Sequence, residues 1–278
     1  MTRFLKTKTV NVELFYTIDV AQDPKANIVI NHGFAEHLKR YDHITKRLKT
    51  AGYNVLRYDL RGHGQSKGPK GHIKSYSNFL EDANVMVDII NNKYPHLDTY
   101  MLGHSMGGLI TTLYGINYPS KVKGQILSGA ANGIIPNASS IKAKGLAFMA
   151  KVFPKMQLKN PVNKDLCSVE EVVEKYLNDP LVLKSASLNF YNEFLNQATK
   201  ESLDKQSTYK LPVLILHGKK DTIVPSKISE NFYNNIISKD KKLIIYPELY
   251  HEILNEINKD EIIDEIVNWL NPRIINNK

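Results

Sequence analysis

Three side chains in this 278-residue chain have the types, and the order, that nucleophilic acyl transfer requires. Ser105 lies in "LGHSMGG" (102–108), Asp221 in "LILHGKKDTIVP" (214–225) and His251 in "LIIYPELYHEIL" (243–254). A serine hydroxyl attacks a carbonyl only if a base takes its proton, and an imidazole does this best when a carboxylate orients it. Gly-x-Ser-x-Gly alone describes many loops in which the serine is merely small. The setting of Ser105 argues for a nucleophile: the apolar run "YML" leads into it and the helical pattern "SMGGLITTLYGINYP" leaves it. Gly103 and Gly107 let strand and helix approach, and the helix N-terminus faces the negative charge that develops on the attacked carbonyl. Asp221 and His251 each follow an apolar strand pattern, so all three side chains project from one edge of a parallel sheet.

The reaction also needs donors for the oxyanion. The backbone N–H of Met106, next after the nucleophile, is one. The second is expected from the loop "NHGFAEH" (31–37) after the strand "NIVI", at Phe34. Two such donors, fixed before reaction, are worth about 3 kcal/mol each at comparable sites. Of the nine histidines, His32, His37, His63, His104 and His217 lie near strand ends, and His43, His72 and His96 read as surface or loop residues. Only His251 follows the last strand with an acid before it. His217 reads as a packing or hydrogen-bonding residue, and Asp59, in "DLRGHGQS", as part of a structural turn. No histidine pair has zinc spacing, and "HEILNE" departs from H-E-x-x-H, so neither metal nor cofactor is expected.

The elements that must position these residues are legible in the apolar pattern. "TVNVELFYTIDV" (9–20) alternates like an exposed antiparallel strand. "ANIVINHGF" (26–34), "YNVLRYDLRG" (53–62), "TYMLGHS" (99–105), "KGQILSGAA" (123–131), "LPVLILHG" (211–218) and "KKLIIYPEL" (241–249) are more continuous, as strands covered on both faces are. Amphipathic helices lie between them; in 76–94, Phe79, Leu80, Ala83, Val87 and Ile90 share a face. Gly52 stands at a helix C-terminus before the third strand. This alternation predicts an α/β fold with a mostly parallel central sheet and helices on both faces. It fails between 132 and 209, which holds helical patterns and no convincing strand. The chain therefore reads as a core (1–131 and 210–278) with an inserted helical cap (132–209).

Composition sets the remaining bounds. With 42% apolar residues the chain can bury a large core. No apolar run approaches the roughly 18 residues of a membrane span. The start, "MTRFLKTKTVNVELF", lacks the apolar region and cleavage site of a signal peptide. The lone Cys167 suits a reducing compartment, so a cytoplasmic location is expected. The net charge of +9 is spread along the chain without a nucleic-acid motif, so no nucleic-acid partner is expected, and no obligate protein partner is evident.

"HGFAEHLKRY" (32–41), "YDLRGHGQSKG" (58–68), "GHSMGG" (103–108), "NDPL" (178–181), "HGKKDTIVP" (217–225) and "IIYPELYHEILNE" (244–256) resemble the monoglyceride lipase and lysophospholipase branch of the α/β-hydrolase superfamily. The resemblance spans nearly the whole chain and weakens in mid-cap. It implies a triad at Ser105, Asp221 and His251 and an oxyanion hole at Phe34 and Met106. It also implies metal-free cleavage of monoacylglycerols, lysophospholipids or small carboxylic esters. Glu36, His37 and Arg40 match the family motif and are expected to form ion pairs behind the oxyanion loop. His104 is expected either to line the alcohol side of the pocket or to pack. Phe34 departs from the pattern, because the family often has a small residue there, and its ring narrows or redirects the pocket. In "IKAKGLAFMAKVFPKM" (141–156), a helical wheel groups Ile141, Phe148, Met149, Val152 and Met156, with Lys144, Lys151 and Lys155 at the edge. This face either covers the site, putting Phe148 and Met149 at the substrate pocket, or touches an anionic membrane peripherally. The reading is a serine hydrolase for lipid esters, monoacylglycerols first; alternatives are a lysophospholipase or small-ester esterase, peptidase or transacylase chemistry, and a non-catalytic binding protein on a hydrolase fold.

Overall fold

The computed structural model describes residues 2–6, 12–135, 140–162 and 164–275. Its strands are β1 (Thr2–Lys6), β2 (Glu13–Asp19), β3 (Ala26–Asn31), β4 (Tyr53–Tyr58), β5 (Thr99–His104), β6 (Gly124–Ser128), β7 (Gln157–Lys159), β8 (Ser185–Ser187), β9 (Val213–Gly218) and β10 (Lys241–Tyr246). Its helices are α1 (Asp42–Thr50), α2 (Ser77–Lys93), α3 (Met106–Asn117), α4 (Ser140–Val152), α5 (Glu170–Asn178), α6 (Leu188–Asn192), α7 (Thr199–Lys205), α8 (Lys227–Asn235) and α9 (Lys259–Ile275). Eight strands form one sheet in the order β1-β2-β4-β3-β5-β6-β9-β10. The β1–β2 and β2–β4 pairings are antiparallel and the rest parallel. This is the mostly parallel central sheet that the alternation predicts.

The period-2 pattern sorts each inner strand between two cores. Ile28, Val55, Leu102, Ile126 and Leu216 face one way, into a core closed by α1 and α9. Val29, Leu56, Met101, Leu127 and Ile215 face the other, under α2, α3 and α8. Because β4, β3, β5, β6, β9 and β10 run parallel, the loops that follow β3, β5, β9 and β10 emerge at one sheet edge. That topology brings together residues far apart in sequence.

Between β6 and β9 the chain leaves the sheet and runs through α4 to α7, with a π-helical stretch at Glu193–Ala198. This inserted cap covers the sheet edge; Ala186, Phe190, Tyr191, Phe194 and Ala198 join the core of the main body. The expectation of no strand here needs correcting. β7 and β8 pair antiparallel, but "QLK" and "SAS" are too short and polar to leave an apolar signal. β1 is likewise unanticipated, since "TRFLK" shows no sustained alternation.

Candidate active site

Ser105 sits between the end of β5 and the start of α3, with φ 54° and ψ −119°. A non-glycine residue in so sparsely populated a region costs about 1–3 kcal/mol. The surrounding backbone holds it: Ser105 N–H donates to the Ser128 carbonyl (3.0 Å), while its own carbonyl accepts from Gly108 (2.9 Å) and Ala131 (3.1 Å). The glycines are steric requirements. A Cβ on Gly107 would lie 2.2 Å from the Asn31 carbonyl oxygen, and one on Gly103 would lie 2.4 Å from that of Gly107. The turn thus raises Ser105 at the N-terminus of α3, where the helix dipole favours negative charge.

Asp221 follows β9 and His251 follows β10. His251 Nδ1 lies 2.6 Å from Asp221 Oδ2 and donates to it, leaving Nε2 to accept a proton. His217 Nε2 also approaches Oδ2 (3.0 Å), together with the Val224 carbonyl (2.7 Å), while its Nδ1 accepts from Ser229 Oγ (2.7 Å). Asp221 Oδ1 accepts from the N–H groups of Ile223 (2.9 Å) and Val224 (2.8 Å). Burial opposes charge on Asp221, but the His251 charge and the bonds from His217 and His251 outweigh it, and the carboxyl is held well below the usual range. Burial likewise disfavours a charged His251, but the charge and hydrogen bond of Asp221, with Glu252 and Glu36, together outweigh it and the imidazole is raised above its ordinary value. Among the described residues no hydrogen bond joins Ser105 to His251 in this arrangement; such contacts often tighten only around substrate.

Ser105 and His251 border one cavity of about 510 Å³. Its walls are mainly apolar, with Leu146, Val162, Leu166, Tyr191, Phe194 and Leu195 contributed by the cap. His104 lines it too, its ring 4.7 Å from that of His251, and its Nδ1 donates to the Ser128 carbonyl (3.0 Å). Burial, then the neighbouring His251, pushes His104 down to about 3, so it is neutral near pH 7. His104 therefore both lines the pocket and packs.

Phe34 follows β3, in the loop facing the serine turn. Among the described residues, the N–H groups of Phe34 and Met106 have no hydrogen-bond acceptor. Behind the loop, Glu36 Oε1 accepts from the Gly33 N–H (2.6 Å) and the Tyr41 hydroxyl (2.7 Å), and Oε2 accepts from Arg40 Nε (2.9 Å). Arg40 also donates to Glu252, the residue after His251, and its guanidinium lies 4.8 Å over the Tyr176 ring. Burial raises both carboxyls; for Glu36, Arg40 with His104, His32 and the Tyr41 hydroxyl together outweigh it and lower the carboxyl, whereas Glu252 stays raised, with Glu36 adding to the burial effect. The ion pair therefore ties the Phe34 loop to the His251 loop. His37 belongs to a separate pair, with Asp179 of the cap at 2.8 Å.

Residues 22–258 match the family model described as serine aminopeptidase, S33. The chain is 33% identical over 249 residues to the monoacylglycerol lipase of Mycolicibacterium smegmatis, covering 89% of each chain. It is 30% identical to the monoglyceride lipase of Mus musculus, over 90% of this chain and 84% of that one. The crystal structure of Paleococcus ferrophilus monoacylglycerol lipase superposes with a TM-score of 0.85 at 27% identity, over 94% of this chain and 99% of that one. The chain belongs to the monoglyceride lipase branch of the α/β-hydrolase superfamily.

Within this α/β-hydrolase the topology brings Ser105, Asp221, His251, Phe34, Met106 and His104 to one sheet edge. It does not bring Phe148 and Met149 to the cavity, and that expectation is corrected. From α4 the lining residues are Ala143 and Leu146. Phe148 is 66% exposed on the opposite side, and Met149 is half-buried outside the lining. The wheel assigned the inner face to the large residues, whereas the small Ala143 and Ala150 turn inward. The side chain of Ile141 lies outside the described residues. Sequence reasoning did not identify Asp221 as the partner of His217, nor Tyr176, Tyr191 and Phe194 as lining. The position of His217 at a strand end, beside the acid, was the one available signal.

Proposed function

We propose that this hydrolase cleaves monoacylglycerols to fatty acid and glycerol through an acyl-enzyme on Ser105. It is a carboxylester hydrolase by family; substrate and mechanism are our reading. The observation that carries it is the Asp221–His251 bond beside an apolar cavity that His251 and Ser105 both border. Ser105 Oγ attacks the ester carbonyl while His251 Nε2 takes its proton and Asp221 stabilises the imidazolium. The negative oxygen accepts hydrogen bonds from the Phe34 and Met106 N–H groups. The intermediate collapses, the C–O bond to glycerol breaks, and His251 returns the proton to the departing alkoxide. Water, deprotonated by His251, then releases the fatty acid and restores Ser105.

The cap, which we place at 132–209, supplies the apolar wall for an acyl chain. The exposed row Phe148, Val152, Phe153 and Met156, beside exposed Lys144, Lys151 and Lys155, supports peripheral contact of the cap with an anionic membrane, from the cytoplasmic side. Among the described residues no helix is long and apolar enough to cross a membrane. The test is a panel of monoacylglycerols, lysophosphatidylcholines and short p-nitrophenyl esters, with wild type and Ser105→Ala. Monoacylglycerol turnover lost in the variant is the expected result. Preference for lysolipids or turnover of short esters alone would move the substrate class, and no turnover by folded protein would leave a binding module.

A further inference from the structure

The oxyanion loop is held from the cap as well as from the core. Ala35 is fully buried at φ 67°, and with Ser105 it is one of two non-glycine residues at positive φ among the described residues. Its carbonyl accepts a 2.9 Å hydrogen bond from the Leu183 N–H of the cap. Its side chain is buried in a hydrophobic cluster whose other buried members, Leu166, Tyr176 and Leu183 among them, all come from the cap. Next to it the Phe34 ring packs against α6, with centroids 5.3 Å from Phe190 and 5.6 Å from Tyr191.

The loop has little other freedom. Gly33 N–H and the Glu36 carboxylate are joined, and Glu36 is fixed in turn by Arg40 and Tyr41. Between those clamped points the Ala35 turn, together with the torsions of Gly33 and Phe34, sets the path of the short segment that carries the Phe34 N–H. An alanine left to itself prefers negative φ, and returning there would swing the Phe34 N–H away from the carbonyl it is to serve. We propose that Leu183 and Ala35 are positioning residues: the Leu183 N–H holds the Ala35 turn, so that the oxyanion hole is complete only when the cap is seated on the loop. This rests on the reading of Phe34 as an oxyanion donor. Leu183 does not line the cavity, so its backbone reaches the chemistry only through the loop.

The test replaces Leu183 by its α-hydroxy acid, which exchanges the N–H for an oxygen and keeps the side chain. The probes are p-nitrophenyl butyrate turnover and the affinity of an alkyl trifluoromethyl ketone, whose adduct with serine carries the oxyanion. Loss of one oxyanion donor costs about 10²–10³ in kcat elsewhere, and misdirecting one is expected to lower kcat at least about tenfold. KM should stay within about twofold, with ketone affinity falling in step with kcat. Leu183→Ala, which keeps the N–H but trims the buried contact, should lose less kcat than the ester-linked chain. Adding Ala35→Gly to the ester-linked chain should restore most of the loss, since glycine takes positive φ freely. Unchanged kcat and ketone affinity, or a kcat loss with full ketone affinity and no rescue, would overturn the proposal. If the ester-linked chain does not fold, hydrogen exchange on wild type decides: ketone binding should slow the Leu183 amide at least tenfold, and an unchanged rate refutes the coupling. Wild type without turnover, or turnover surviving Ser105→Ala, would defeat the functional reading and this inference with it. Where turnover depends on Ser105, the variant ratios judge the cap contact alone.

Discussion

Asp221 carries its negative charge on bonds from His251, His217 and the N–H groups of Ile223 and Val224. Asp221→Asn should keep the fold but present the wrong partner to His251 Nδ1, and kcat on p-nitrophenyl butyrate should fall about 10³–10⁴-fold. The pH profile follows from the same contact. His251 must be neutral to accept the serine proton, and Asp221 raises its titration above the ordinary value. The acid limb of kcat/KM should therefore lie above about 6.5. In Asp221→Asn it should move below the wild-type limb; an unmoved limb would mean that another group titrates there. The placement of Ser105, Asp221 and His251 at one sheet edge was legible because these residue types stand in order after successive strand patterns. His217 was not assigned its partner, because a contact closed across a loop leaves no periodicity to read.

The elements around the site are fixed by two devices of different kind. The serine turn is steric: a Cβ on Gly107 has no room beside the Asn31 carbonyl. Gly107→Ala should lose about 3 kcal/mol or more in denaturant unfolding, at the upper end for overpacking, and its residual folded fraction should have lost esterase activity. The second device is electrostatic. Arg40→Met would leave Glu36 and Glu252 buried without their cation, and breaking such a pair costs about 3–5 kcal/mol. Because Glu36 is lowered in the folded protein, its pair stabilises fully above the unfolded value near 4.3 and is lost as pH falls through the folded value. Unfolding free energies measured from pH 7 downward should thus converge between wild type and Arg40→Met. Strand positions were readable because each inner strand is apolar on both faces. The orientation of α4 was not, since hydrophobicity alone cannot say whether a large apolar face meets a cavity or leaves the molecule.

At the scale of the whole molecule, the sheet edge gathers the proposed catalytic residues, and the stretch between β6 and β9 walls the cavity and carries the outward apolar row. Phe148→Ser combined with Phe153→Ser should weaken binding to vesicles containing phosphatidylserine while leaving turnover of a soluble short ester within about twofold. Binding should also weaken with added salt, since each lysine near an anionic surface contributes about 1 kcal/mol. Equal vesicle binding by wild type and variant in a sedimentation assay would remove the membrane role from the cap. The central sheet was legible through alternating strands and helices. How the cap packs onto the oxyanion loop was not, because the Ala35–Leu183 bond joins main-chain atoms that any residue carries. The central claim is that Ser105 is an activated nucleophile, and fluorophosphonate labelling followed by intact-mass and peptide analysis tests it most directly. The account predicts a single adduct on Ser105, formed at least about a hundredfold more slowly in His251→Ala. No adduct on folded protein, or an adduct elsewhere with esterase activity intact in Ser105→Ala, would contradict it.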